Sequence, residues 1–180
     1  FGKAASAPGI TAITGCRLEK FRREGKQWVL SDKDGNTVFR TDLVIVADGA
    51  HSRFAKEIGG IQMEEEHFCA GLRGYYKNVS GLDEQGYIEL HFVKNFLPGY
   101  FWIFPLANGY ANVGVGMRSD VAGSRKINLK EAMLSLINTY EPLRKRFEGA
   151  SLEGPLRGYG LPLGSKKRPI SGDGYMLLGD

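Results

Sequence analysis

The stretch Asp42-Leu43-Val44-Ile45-Val46-Ala47-Asp48-Gly49 constrains the fold more than any other part of the chain. Its centre is an unbroken, β-branched apolar run, whereas a strand with one wet face alternates apolar and polar residues. Unbroken runs of this kind belong to sheets buried on both faces, which in practice means parallel sheets. The run ends in Asp48-Gly49, and the carboxyl edge of such a sheet is where α/β proteins bind ligands. A second run has the same form: Tyr175-Met176-Leu177-Leu178 followed by Gly179-Asp180. One such strand end is more often a plain turn. Two of them, separated by a whole domain, are more informative together. In a ligand site the aspartates would accept hydrogen bonds from amides or a ribose, and the glycines would let the backbone approach a cofactor closely.

The rest of the chain reads as two sheets and a helix. Residues 1–8 are rich in small side chains and suit a helix tail or a disordered end. Alternation from Ile10 to Leu18 predicts a strand, followed by Lys26–Ser31 and Thr37–Arg40 as a small antiparallel meander. The turn signal in the meander is Asp32-Lys33-Asp34-Gly35-Asn36. Strand-like blocks at Ala70–Tyr76, Tyr87–Phe92, Tyr100–Phe104 and Ala111–Met117 predict a larger antiparallel sheet. Asn128 is placed to cap a helix whose stripe runs Leu129, Ala132, Met133, Leu136, Ile137, Tyr140. Pro142 must break or kink it, and Leu143 and Phe147 resume the stripe. Gly154–Asp180 is rich in Gly and Pro and reads as a tail ending in the last strand. The expected division is 1–60, 61–170 and 171–180, with an α+β fold. Both ends read as cut, since the chain starts at Phe1 and stops on a strand end.

One further segment carries chemistry. In Pro98-Gly99-Tyr100-Phe101-Trp102-Ile103-Phe104-Pro105, the rings of Tyr100, Trp102 and Phe104 fall on one strand face. Such a row lines apolar pockets, or packs under a helix. Gly114 and Gly116 follow about eight residues later and would leave room for something flat or long. Other chemistries find no support. The three histidines have no metal-ligand spacing. His51-Ser52 lies in no nucleophile elbow. Glu64-Glu65-Glu66 reads as a solvated turn. The net charge of +4 is dispersed apart from Lys166-Lys167-Arg168, with no basic face interleaved with aromatics, so nucleic acid is not the expected partner. Cys16 and Cys69 are far apart and lack a secretory signal, which suggests reduced, packed thiols and a cytoplasmic protein. No apolar run approaches the roughly 20 residues that span a bilayer.

From about Ile10 to Asp180 these segments, in this order, resemble the geranylgeranyl reductase family. That family belongs to the p-hydroxybenzoate-hydroxylase-like flavoproteins, which include the Fix-type dehydrogenases. Val46-Ala47-Asp48-Gly49-Ala50-His51-Ser52 resembles the group's Asp-Gly motif beside the FAD pyrophosphate, and Leu178-Gly179-Asp180 its Gly-Asp motif. Tyr100 to Gly116 resembles the reductases' own Y-x-W-x-F-P and G-x-G signature. The resemblance implies FAD in the full-length protein, held by Asp48, Gly49, Gly179 and Asp180. It implies a prenyl cavity shaped by Tyr100, Trp102, Phe104, Pro105, Gly114 and Gly116. It implies an antiparallel substrate domain joined to part of an FAD-binding α/β domain.

The implied reaction is reduction of prenyl carbon–carbon double bonds, drawing on NAD(P)H or a ferredoxin. A lipid substrate would make peripheral membrane contact reasonable. No catalytic residue and no proton donor is singled out. Two departures stand out. Ala55 occupies the place where the Asp-Gly motif usually has Arg, with Arg53 and Lys56 nearby, and no G-x-G-x-x-G occurs. This stretch alone is therefore expected to be inactive and not to retain FAD. The alternatives are a Fix-type quinone dehydrogenase, an FAD-dependent aromatic hydroxylase and a non-catalytic carrier of apolar ligands.

Overall fold

Two hydrophobic cores form, one in each of two units. The structure, a computed structural model, describes residues 6–179, so Asp180 and most of the small-residue start lie outside the described residues. In chain order the strands are β1 (Lys20–Glu24), β2 (Gln27–Ser31), β3 (Thr37–Thr41), β4 (Val44–Val46), β5 (Phe68–Lys77), β6 (Glu89–His91), β7 (Tyr100–Pro105), β8 (Tyr110–Arg118), β9 (Ser151–Pro162), β10 (Ser171–Gly172) and β11 (Tyr175–Leu177). The α-helices are α1 (Arg53–Glu57), α2 (Ser119–Ser124), α3 (Leu129–Thr139) and α4 (Glu141–Phe147). One unit takes the chain up to Gln62 and again from Arg168. The other is Met63–Lys167.

The first unit holds the meander β1-β2-β3 and a small mixed sheet, β10-β11-β4. Asp32 shapes the β2–β3 loop: its carboxylate accepts from the backbone N–H groups of Asp34 and Asn36 and from the Asn36 side chain. Phe54 on α1 is the hub of the core. Its ring centroid lies 5.0 Å from Phe21, 5.1 Å from Trp28 and 5.4 Å from Tyr175.

Three expectations fail in this unit. Residues 10–18 form no strand, because no ladder partner lies beside them, and Ile10 and Ile13 are 55% and 54% exposed. The first strand is β1 instead, where Phe21 turns inward. Cys16 is exposed rather than packed. The parallel pairing of β4 with β11 is present, but burial on both faces is not. Val46 packs inward with Trp28 and Phe54, whereas the register partners Ile45 and Met176 are 57% and 48% exposed. Among the described residues nothing covers that outer face.

The second unit is a five-stranded antiparallel sheet in the order β6-β7-β8-β5-β9. Directly paired residues share a face. Phe101, Ile103, Val113, Val115 and Met117 lie on one face and are almost fully buried against Met133 and Ile137 of α3 and Leu143 and Phe147 of α4. The α3 stripe is therefore core, and Asn128 caps the helix by accepting from the N–H groups of Lys130 and Glu131. Pro142 starts α4 rather than kinking α3: the break is at Tyr140, in extended conformation, and Pro is tolerated in a first turn.

The largest omission from the sequence reading is β9. Its twelve residues run through the stretch read as a Gly/Pro-rich tail. An edge position and a shift in register between Arg73 and Tyr75 let the strand accommodate Pro155 without breaking the sheet. No helix among the described residues is long and apolar enough to cross a membrane.

Candidate functional site

Two groups of residues were expected to form sites, one in each unit. In the first unit, Val46 pairs with Leu177, and the Leu178 N–H donates to the Val46 carbonyl at 2.8 Å. Both strands thus leave the same carboxyl edge side by side. Asp48 and Gly179 each come two residues beyond that pair. Gly49 and Gly179 have φ of +87° and +77°, the left-handed region that favours glycine. A Cβ at Gly179 would meet nothing within 4 Å, so the backbone there is bare. Asp48 is exposed.

Just beyond, the Ser52 hydroxyl caps α1 by accepting from the Ala55 N–H at 3.0 Å. Arg53, the arginine nearest the position where the flavin motif has one, is bonded to Glu57 and Glu19. An exposed carboxylate and two glycines of positive φ at one parallel edge, with open space at Gly179, suit the hydroxyl-rich and phosphate-bearing parts of a flavin nucleotide. Asp180 lies outside the described residues.

In the second unit, α3 and α4 cover one sheet face, and the other carries the aromatic row. Tyr100, Trp102 and Phe104 follow one another with centroids 5.8 and 5.9 Å apart, and Phe92 extends the row 6.0 Å from Tyr100. The two glycines of β8 make room for this row itself. A Cβ on Gly114 would come 2.3 Å from the Trp102 ring and 2.4 Å from the Leu72 carbonyl oxygen. One on Gly116 would come 3.3 Å from both the Tyr100 ring and Cys69 Sγ. The indole and the phenol therefore lie close against bare backbone. Trp102 is also held in plane, since its Nε1–H donates to Asn112 Oδ1 at 3.0 Å.

Burial raises the pKa of the Tyr100 phenol, and the Cys69 thiol beside it adds to the effect. Burial likewise raises Cys69. Both groups keep their protons at neutral pH. Pro105 pairs with the fully buried Ala111 and so belongs to the opposite, helix-covered face, apart from the other five residues expected at the prenyl cavity.

Sheet register adds residues that the sequence reading did not find. Gly71, Arg73 and Tyr75 of β5, and Arg157, Tyr159 and Leu161 of β9, share the aromatic face. Alternation along one strand names the residues on a face, but which strands lie side by side is written in no local pattern. Elsewhere, Glu64, Glu66 and His67 bring possible ligand atoms within 4.8 Å of one another. Lys166 already binds Glu64, and Ser165 and Glu66 contact the His67 ring, so their interactions are accounted for without an ion.

Residues 69–149 match the family model described as the geranylgeranyl reductase catalytic domain. A menaquinone reductase of Mycolicibacterium smegmatis is 34% identical over 152 residues, 82% of this chain and 36% of that protein. A digeranylgeranylglycerophospholipid reductase of Methanopyrus kandleri is 31% identical over 151 residues, 82% of this chain and 38% of that protein. The chain thus spans less than half the length of these curated relatives. Among solved structures, a geranylgeranyl bacteriochlorophyll reductase-like protein of Thermoplasma acidophilum superposes with a TM-score of 0.71 at 23% identity, over 90% of this chain and 40% of that one. The mixed α+β fold, with antiparallel sheets and few helices, is the fold of that neighbour.

Proposed function

The chain belongs to the geranylgeranyl reductase family of FAD-dependent oxidoreductases, and on that premise we propose that the whole protein saturates carbon–carbon double bonds of a prenyl chain laid along the aromatic row. The observation that carries this reading is the position of the row: Tyr100, Trp102 and Phe104 stand on the one sheet face that the unit's own helices leave open. When bound, reduced FAD would supply the hydride-donating chemistry for this reduction. The residues of this chain bind and position. Asp48 and Asp180 would accept hydrogen bonds from cofactor hydroxyls, with Gly49 and Gly179 giving close backbone approach. The rings of the row would press a flexible chain into one extended path and keep water from it. A row held by Asn112 and seated on glycine needs little reordering to do so.

The relatives named menaquinone reductase support a second reading within the same family, a quinone as the substrate. The test uses the full-length protein carrying reduced FAD, with mass spectrometry of the product. Geranylgeranyl diphosphate is expected to gain one dihydrogen for each double bond reduced, and Trp102→Ala is expected to lower kcat/KM at least about tenfold. NAD(P)H oxidation stimulated by a phenol, with no saturated prenyl product, would overturn the proposal in favour of a hydroxylase. The 180-residue chain alone is expected to purify without stoichiometric FAD, which its visible absorbance reports directly.

A further inference from the structure

The aromatic face carries a charge arrangement that the packing does not explain. Arg73 on β5 and Arg157 on β9 are direct register partners, so both side chains rise from the same face as Trp102. Like charges directly opposite on neighbouring strands destabilise a sheet. The other four arginines of this unit each have an acceptor: Arg118 has Asp120, Arg125 the Leu97 carbonyl, Arg144 has Glu148, and Arg146 has Glu89. Among the described residues Arg73 and Arg157 have none. Glu153, the nearest carboxylate in register, stands opposite Tyr75, and its contact is with Ser151. The Arg73 guanidinium instead lies over the Tyr75 ring, 4.7 Å from its centroid, which keeps it extended along the sheet.

One line across the sheet reads Leu90, Trp102, Gly114, Arg73, Arg157. At about 4.8 Å per strand, the guanidiniums root roughly 10–14 Å from the aromatic row, across a floor of glycine. This is the layout for an amphiphile, with an apolar chain on one side and a multivalent anion on the other. Arginine forks match phosphate oxygens in paired hydrogen bonds.

We propose that Arg73 and Arg157 form the subsite for a phosphate or diphosphate head on the prenyl substrate, and so select an anionic prenyl compound over a neutral quinone. The proposal rests on the prenyl reading of the aromatic row. A bound phosphate would also relieve the repulsion between the two arginines.

The experiment is calorimetric titration of the full-length, FAD-loaded protein with geranylgeranyl diphosphate, geranylgeraniol and inorganic diphosphate, for the wild type, Arg73→Gln, Arg157→Gln and the double variant. The wild type is expected to bind the prenyl diphosphate at least about tenfold more tightly than the alcohol, and more tightly than inorganic diphosphate. Each single variant should lose part of that preference and the double variant all of it, with affinity for the alcohol unchanged. Thermal midpoints without ligand should stay level or rise, because a repulsion is removed; a fall would make the pair structural and overturn the subsite. Equal wild-type affinity for the diphosphate and the alcohol sinks the subsite while leaving the prenyl reading standing. Failure of both prenyl compounds to bind sinks the two together. Inorganic diphosphate binding as tightly as its prenyl ester would mark a free-anion site and overturn the amphiphile.

Discussion

Two of the three described sheets, the five-stranded antiparallel sheet and the small mixed sheet, dispose of apolar surface in opposite ways. The antiparallel sheet needs only one covered face, and α3 and α4 supply it: Phe101, Ile103, Val113 and Val115 are fully buried. The parallel pair of β4 and β11 has apolar side chains on both faces but packing on one, with Ile45, Met176 and Leu178 about half exposed. A parallel sheet is ordinarily covered on both sides. The antiparallel unit therefore has a finished core and one face free for a ligand, whereas the other unit still presents apolar surface that calls for a cover.

The strongest way to break this comparison is to cut into each sheet. Phe101→Ala should destabilise the second unit by about 3–5 kcal/mol, while Ile45→Ser, on the bare face, should change stability by no more than about 0.5 kcal/mol. The two tryptophans report the units separately in denaturant titrations, Trp102 the second and Trp28 the first. Equal losses would show that the outer face of β4 is already covered in solution.

A smaller effect tests whether the open face is itself tightly packed. Gly114→Ala drives a methyl against both the Trp102 ring and the Leu72 carbonyl, so a loss of about 1–3 kcal/mol is expected, with a red shift of Trp102 emission as the indole lifts. Gly158→Ala, whose added carbon comes no closer than 3.7 Å to anything, should be neutral within about 0.5 kcal/mol. If both are silent, the indole is not seated on Gly114.

The smallest effect concerns the meander. The Asn36 side chain, aided by backbone N–H groups of Asn36, Asp34 and Gly35, holds the Asp32 carboxyl below its ordinary pKa. A depressed carboxylate pKa adds stability above the unfolded value, and that increment disappears as pH falls through the folded value. Asp32→Asn should therefore cost a little at neutral pH and nothing once the pH is well below 4. A penalty that persists in acid would show that the loop depends on the shape of Asp32 rather than its charge.

Much of the architecture was legible because it is local. The period-2 spacing of Tyr100, Trp102 and Phe104 put them on one face, and the Asn128 cap and its stripe marked α3. The apolar runs before Asp48 and Gly179 marked two strands that proved to be parallel partners. What escaped depended on partners distant in the chain. β9 was hidden because Gly154 and Pro155 signal a break, and only its position at the edge of β5 lets a strand carry them. Arg73 and Arg157 look like two ordinary solvated arginines until the register sets them opposite each other. Asn112 shows no sign of holding an indole ten residues away. The alternation from Ile10 to Leu18 misled because a pattern with no ladder to join stays irregular.

The irregularity of β9 has a further consequence. Twelve residues of sheet edge offer a long template on which another chain could add a strand. Pro155 withholds one donor from that template, and the slip in register beside it bends the strand where a flat partner would need it straight. The opposite edge, β6, is only three residues long. The second unit thus keeps its borders unattractive to its own copies while leaving a broad face open to a small molecule.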